Sequence, residues 1–153
     1  MLAIDFGTTR TKVAYFDPSK ARVVLANLGS GDQVAFPSLF YVGTDGQVFC
    51  GAEALDFLDS DPGGTVRRVK SRLRERAIRV NGQTLRPVDL VTKLLVGLRE
   101  RAADEIPAFA GKAPTSVVLT LPAAGAGSGP VVEKIMRAAL NRGRQEQLPA
   151  ERA

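Results

Sequence analysis

The sequence predicts an α/β fold in which a mixed sheet, led by β-hairpins, carries packed helices, and three stretches support this. Leu2 to Phe6 is a short apolar run ending in Asp5-Phe6-Gly7-Thr8-Thr9, and Thr11 to Phe16 then roughly alternates until Asp17-Pro18 breaks it. Behind Pro87, Val88, Val91, Leu94, Leu95, Leu98 and Ala102 recur at helical spacing with charges on the other side. Ser116 to Leu121 is a continuous β-branched and apolar run of the kind that fills strands buried on both faces.

Taken in order, the first stretch predicts a strand, a tight turn and an antiparallel strand. Val23 to Ala26 adds a third, Phe36 to Val42 is extended through Pro37, and Thr44-Asp45-Gly46 is a hairpin turn before Gln47 to Phe49. Ala52 to Leu58, rich in Ala, Leu and acid, predicts a short helix closed by Asp61-Pro62-Gly63-Gly64, and helix is expected to resume near Val66. Asn81-Gly82 is the pair that a two-residue type I′ turn prefers, because both residues tolerate positive φ. Pro87 suits the first helical position, where its missing N–H has no partner to lose, and its helix is expected to reach about Glu105. A loop from Pro107 to Pro114 then leads into Ser116 to Leu121, expected at the sheet centre. Glycine-rich Ala123 to Pro130 precedes a helix over Val131 to Asn141, with Val132, Ile135, Met136, Ala139 and Leu140 inward and an end near Gly143. Residues 144–153 form a polar, poorly anchored tail.

Composition excludes several kinds of chemistry. With 153 residues the chain fits one domain able to bury a real core. Cys50 is the only cysteine, so neither an intramolecular disulfide nor a cysteine metal cluster can form, and a reducing cytoplasm is expected. Histidine is absent, which removes Ser-His-Asp triads, papain-like pairs and histidine-built zinc sites. The N-terminus reaches an acid and a glycine too early for a signal peptide, and no apolar run approaches the roughly 20 residues of a membrane span. The net charge of +5 is concentrated in Arg67 to Arg79, which holds seven basic residues against one acid, Glu75. That segment lacks an aromatic for stacking, so a solvated or cleft-facing role is favoured over nucleic-acid binding.

The strand-turn-strand around Asp5, Gly7, Thr8 and Thr9 carries the sharpest chemical signal. Gly7 lets the backbone approach a ligand, the following amides can point at phosphate oxygens, and the threonine hydroxyls add hydrogen bonds. A carboxylate at the end of the preceding strand can hold a hydrated Mg²⁺ beside them. The plain alternative is an ordinary hairpin whose Asp and Thr only shape the turn.

Ile4-Asp5-Phe6-Gly7-Thr8-Thr9 followed by Lys12-Val13-Ala14 resembles the first phosphate loop of the actin, sugar-kinase and heat-shock chaperone superfamily. The later order of Phe36-Pro37-Ser38-Leu39-Phe40, Gly51-Ala52-Glu53-Ala54, Val69-Lys70-Ser71-Arg72-Leu73 and Val118-Leu119-Thr120-Leu121-Pro122-Ala123 is most similar to the DnaK-like 70-kilodalton chaperones. The resemblance implies the first lobe of an actin-like (ribonuclease H-like) ATPase over residues 1–143, with a small α/β insert at 34–114. It further implies ATP or ADP with Mg²⁺ as cofactors. Gly7, Thr8, Thr9 and Arg10 would bind the nucleotide, Asp5 the Mg²⁺ through water, and Lys70 would be the catalytic lysine. Arg10 stands where these chaperones have asparagine, and Ala124 to Gly129 replaces their aromatic and polar run.

The chain is expected to stop before the family's catalytic glutamate, second phosphate loop and adenosine loops, so hydrolysis is expected only when a second lobe completes it. That lobe, or a protein partner, is expected to cover residues 116–140. Two other readings stay open: a non-catalytic protein-binding adaptor on the same scaffold, and a sugar-kinase or actin-like relative. Cys50 is read as a structural residue, and the glycine-rich stretch, lacking a Gly-Lys-Ser/Thr ending, as a linker or wide turn.

Overall fold

The computed structural model describes residues 1–28, 34–109, 111–112, 114 and 116–120, with isolated positions 134, 137, 138 and 141. It is a mixed α/β structure. Strands β1 (Leu2–Phe6) and β2 (Arg10–Asp17) form the expected antiparallel pair, with Asp5 opposite Lys12 and Phe6 opposite Thr11. β2 is shared by two partners: β3 (Arg22–Leu25) pairs with its second half, and β4 (Ala35–Pro37) with its first. β10 (Val117–Leu119) runs parallel to β1, completing a five-stranded mixed sheet.

Alternation along β1 sends Leu2, Ile4 and Phe6 to one face, all essentially inaccessible, and Asp5 to the other. The buried face meets α2 (Pro87–Glu105), whose Leu90, Val91, Leu94, Leu95, Leu98 and Ala102 belong to the same core. Pro87 occupies the start of α2, as its fixed φ suits, and Arg86 pairs with Asp89 across the first turn at 2.9 Å. On the opposite face Phe16 lies directly across from Val23, and both are at least half exposed, as are Leu25 and Val118.

Two smaller units follow. β5 (Phe40–Val42) lies between β6 (Val48–Cys50) and β7 (Thr65–Val66), with α1 (Ala52–Leu55) leading away from β6. Tyr41 stacks on Phe57 with ring centroids 4.0 Å apart, and Phe49 lies 5.1 Å from Phe57. β8 (Ile78–Val80) and β9 (Gln83–Leu85) form the hairpin expected at Asn81-Gly82, whose φ angles of 45° and 74° supply the two left-handed residues of such a turn. Both ends of the segment 34–114 are tied to the main sheet, β4 by pairing and α2 by packing.

Three local expectations need correction. Helix does not resume at Val66: Thr65 and Val66 pair with Tyr41 and Phe40 as β7, and a short 3-10 turn over Val69–Arg72 follows. Val66, Val69 and Leu73 are buried at a spacing a helix would also produce, so the pattern was real and its backbone differed. The helix at Ala52 ends at Leu55, three residues short of Leu58. Ser116 to Leu121 contributes only Val117–Leu119 as strand among the described residues, and there β10 lies at the end of the sheet order with Val118 half exposed.

The glycine-rich stretch 123–130 and the tail 144–153 lie outside the described residues, as do the apolar positions of the helix expected over 131–141. Its described positions Lys134, Arg137 and Asn141 are helical and exposed. Among the described residues no helix is long and apolar enough to cross a membrane.

Candidate functional site

The turn from β1 to β2 is tight enough to exclude a side chain at Gly7. A Cβ there would lie 2.1 Å from the carbonyl oxygen of Arg10, so glycine is required by close approach and not by backbone handedness. Neighbouring structure pins the turn from the β4 side. The Ser38 amide donates to the Thr9 carbonyl at 2.9 Å, and the Ser38 and Thr11 hydroxyls, both buried, meet at 2.9 Å. Thr9 and Arg10 remain exposed and Thr8 half-buried, so the residues expected to touch phosphate are open to solvent on a fixed backbone.

Asp5, at the end of β1 on the open face of the sheet, is exposed. The Thr120 hydroxyl donates to its Oδ1 at 2.6 Å, and the Thr120 amide donates to the Ile4 carbonyl at 2.9 Å, so the end of β10 orients this carboxylate. Among the described residues no group of three or more acidic, cysteine or histidine side chains gathers to cage a cation. Mg²⁺ fits such a place all the same. It keeps several waters and binds through one or two carboxylates together with substrate phosphates, the mode that a lone oriented Asp5 beside Gly7-Thr8-Thr9 can serve.

Lys70 arrives from far along the chain. The 3-10 turn Val69–Arg72 opens at Arg68, whose φ of 57° and ψ of 37° place it in the left-handed region, and buried Val69 and Leu73 anchor the turn to the core. This delivers the Lys70 ammonium to the carbonyl oxygen of Phe6, to which it donates a hydrogen bond, and to 5.9 Å from the Phe6 ring centroid. Phe6 immediately precedes Gly7. Lys70 is thus brought to the same bend as Asp5, Gly7, Thr8, Thr9 and Arg10.

Beside the bend opens a cleft of about 440 Å³. Thr8, Thr9 and Arg10 line it from the turn, Arg67 and Arg68 from the stretch before Lys70, and Pro37, Leu39, Leu55 and Leu58 supply an apolar wall. Among the described residues that line it, none is a carboxylate. A concave surface with one sign of charge and low-dielectric walls focuses its field, and guanidinium groups match phosphate oxygens in a two-pronged geometry. Chemically the arrangement can hold and orient an anion.

The expectation that the basic run faces the cleft in part holds at Arg67 and Arg68, whereas the sequence reading missed Ser38 and Thr11 as the brace of the turn and Thr120 as the partner of Asp5. Spacing carries no signal for such pairs, which only folding brings together. It also missed a second polar cluster, in which Asp61 Oδ2 accepts from the Tyr41 hydroxyl at 2.9 Å and from Asn81 Nδ2 at 2.7 Å. Asn81 Nδ2 reaches the Val42 carbonyl as well, at 3.0 Å. The hydrogen bonds from Asn81 and then Tyr41 hold the Asp61 carboxyl below its ordinary range, and Asp61 in turn raises the Tyr41 phenol. The cluster ties β5 to the β8–β9 hairpin. Asp61, preceding Pro62-Gly63-Gly64, and Asn81, before Gly82, were legible beforehand only as turn residues.

Cys50 faces a separate groove along α2, and burial, then the nearby Glu53 charge, pushes its thiol up to about 11. That suits packing and not nucleophilic chemistry. No protein-family model matches this chain, and no curated protein matches it at a significant level.

Proposed function

We propose that this chain is a phosphate-binding lobe of the actin-like ATPase type, closest in design to DnaK-like chaperones, that takes ATP or ADP with Mg²⁺ at the Asp5–Arg10 bend. The observation that carries this is convergence. Three of the segments whose order suggested the family meet at one place: Ser38 braces the Thr9 carbonyl, Lys70 caps the Phe6 carbonyl, and Thr120 orients Asp5. Pieces chosen only for their sequence order would have no reason to surround one turn if the turn were a plain hairpin.

In this reading Thr8 and Thr9 donate their hydroxyls and the turn its amides to phosphate oxygens. Arg10 adds a permanent charge, Asp5 holds the hydrated Mg²⁺ that would neutralise those oxygens, and Lys70 sits where it can orient the terminal phosphate or an attacking water. Nucleotide binding drives a conformational cycle only where a second lobe closes on the ligand. The test is titration calorimetry of the full chain with MgATP and MgADP, on the wild type and on Thr8→Ala/Thr9→Ala. Weak, salt-sensitive binding that falls at least tenfold in the double variant is expected. Affinity unchanged by the double variant, or no binding at all, would overturn the proposal.

A second reading, a protein-binding module on the same scaffold, is favoured by the exposed row of Phe16, Val23 and Leu25 together with Val118 on the outer sheet face. Self-association that vanishes in Phe16→Ser/Val23→Ser, combined with absent nucleotide binding, would make it the better account.

A further inference from the structure

Three guanidinium groups beside one turn exceed what a phosphate loop with two threonines needs. Arg10 comes from the start of β2, whereas Arg67 and Arg68 come from the turn after β7, and all three border the same cleft as Thr8 and Thr9. The backbone holding them is not relaxed. Arg68 sits at φ 57°, a conformation that disfavours any residue with a Cβ, and it is kept there between buried Val66 and Val69. Strain of this kind persists where the surroundings over-determine it, and here it fixes where Arg67 and Arg68 leave the chain.

The donors in this cleft also differ in kind from those that read a nucleobase. Apart from the threonines and Ser38, the side chains of the described residues that line it are either guanidinium or hydrocarbon, so among them donors suited to oxyanions predominate and no amide or carboxylate is present to read a base edge. Three permanent charges, with Lys70 close behind at Phe6, match the charge of a condensed phosphate chain better than that of a single phosphate.

The geometry points to a ligand class for this site: condensed phosphate, a di- or triphosphate chain recognised through its oxygens whatever is esterified to it, with Arg67 and Arg68 extending the contacts made by the Thr8-Thr9 turn. This rests on the phosphate-turn reading above and adds its selectivity. Inorganic tripolyphosphate and MgATP then compete for one site with similar affinity, while orthophosphate binds far more weakly.

The experiment is competition calorimetry on the full chain with inorganic tripolyphosphate, pyrophosphate, orthophosphate, hexaglutamate and MgATP, repeated on Arg67→Gln/Arg68→Gln. Both arginines are exposed, and thermal unfolding of the variant checks that its fold is kept. Expected are tripolyphosphate and MgATP affinities within about threefold of each other, and at least a tenfold loss for tripolyphosphate in the double variant, the size that lost charge-assisted hydrogen bonds produce. MgATP binding without tripolyphosphate binding would overturn this inference and leave the nucleotide proposal standing. Absence of both would sink the two together. Tripolyphosphate binding that ignores Arg67→Gln/Arg68→Gln, or that hexaglutamate matches, would reduce the cleft to unselective charge and refute the assignment.

Discussion

Substituting Gly7 by alanine probes stability and binding through one atom. The new Cβ would fall 2.1 Å from the Arg10 carbonyl oxygen, a backbone atom that cannot swing aside as a side-chain tip could. Relief requires opening the turn where Arg10 pairs with Pro37, and forced backbone shifts of this kind cost about 1–3 kcal/mol. Alanine recovers about 0.4–1 kcal/mol by restricting the unfolded chain, leaving a net loss of about 1–2 kcal/mol. At this chain length each kcal/mol lowers the melting temperature by about 2–4 °C, so a fall of about 2–8 °C is expected by circular dichroism. MgATP affinity should drop at least tenfold in the same variant, because the amides proposed to face phosphate move with the turn. Gly82→Ala is the control: it meets nothing within 4 Å, but its φ of 74° makes alanine costly by about 1 kcal/mol, so it should lose stability and keep its affinity. A Gly7→Ala protein that melts and binds like the wild type would refute the account of this turn.

The remaining predictions concern the fold around the site. Asp61 has a folded pKa below its unfolded value of about 3.9, so its stabilisation is present above that pH and is lost as pH falls through the lowered value. The melting-temperature gap between wild type and Asp61→Asn should therefore be widest near neutrality and close below about pH 4, and a constant gap across this range would count against the Tyr41–Asp61–Asn81 cluster. With its thiol near 11, Cys50 should react with iodoacetamide at pH 8 more than about a hundredfold slower in the native chain than in denaturant, where a free thiol titrates near 8.5. Equal rates would show that burial there is wrong. Gly51→Ala, forced against the Phe36 ring at a φ of 69°, should destabilise by at least about 2 kcal/mol, measured by urea unfolding.

What could be read from the sequence was local and rule-bound. Pro87 opening α2, Asn81-Gly82 in its hairpin and the Gly7 bend all follow from φ preferences or missing atoms that no tertiary contact needs to supply. The stretch after Val66 was misread because arginine and lysine are good helix formers and Val66, Val69 and Leu73 have helical spacing. Pairing with Phe40 and Tyr41 overrode both signals. For the site, the bend itself was legible, while its surroundings were not. Thr11 finds Ser38, Asp5 finds Thr120 and Lys70 finds Phe6 across gaps that composition and period cannot see. Resemblance in segment order pointed to Lys70. The cleft-facing role expected of the basic run falls to Arg67 and Arg68, though nothing in the run singled those two out.

The central claim, that the bend between the first two strands is where nucleotide phosphates bind, is tested most directly by amide-resolved NMR during titration with MgATP. The account predicts that the largest shifts fall on Gly7, Thr8, Thr9 and Arg10, with smaller ones at Lys70 and Arg68, and that Thr8→Ala/Thr9→Ala removes them. Shifts centred instead on the α2 groove around Cys50 and Lys93, or none at millimolar nucleotide, would contradict it.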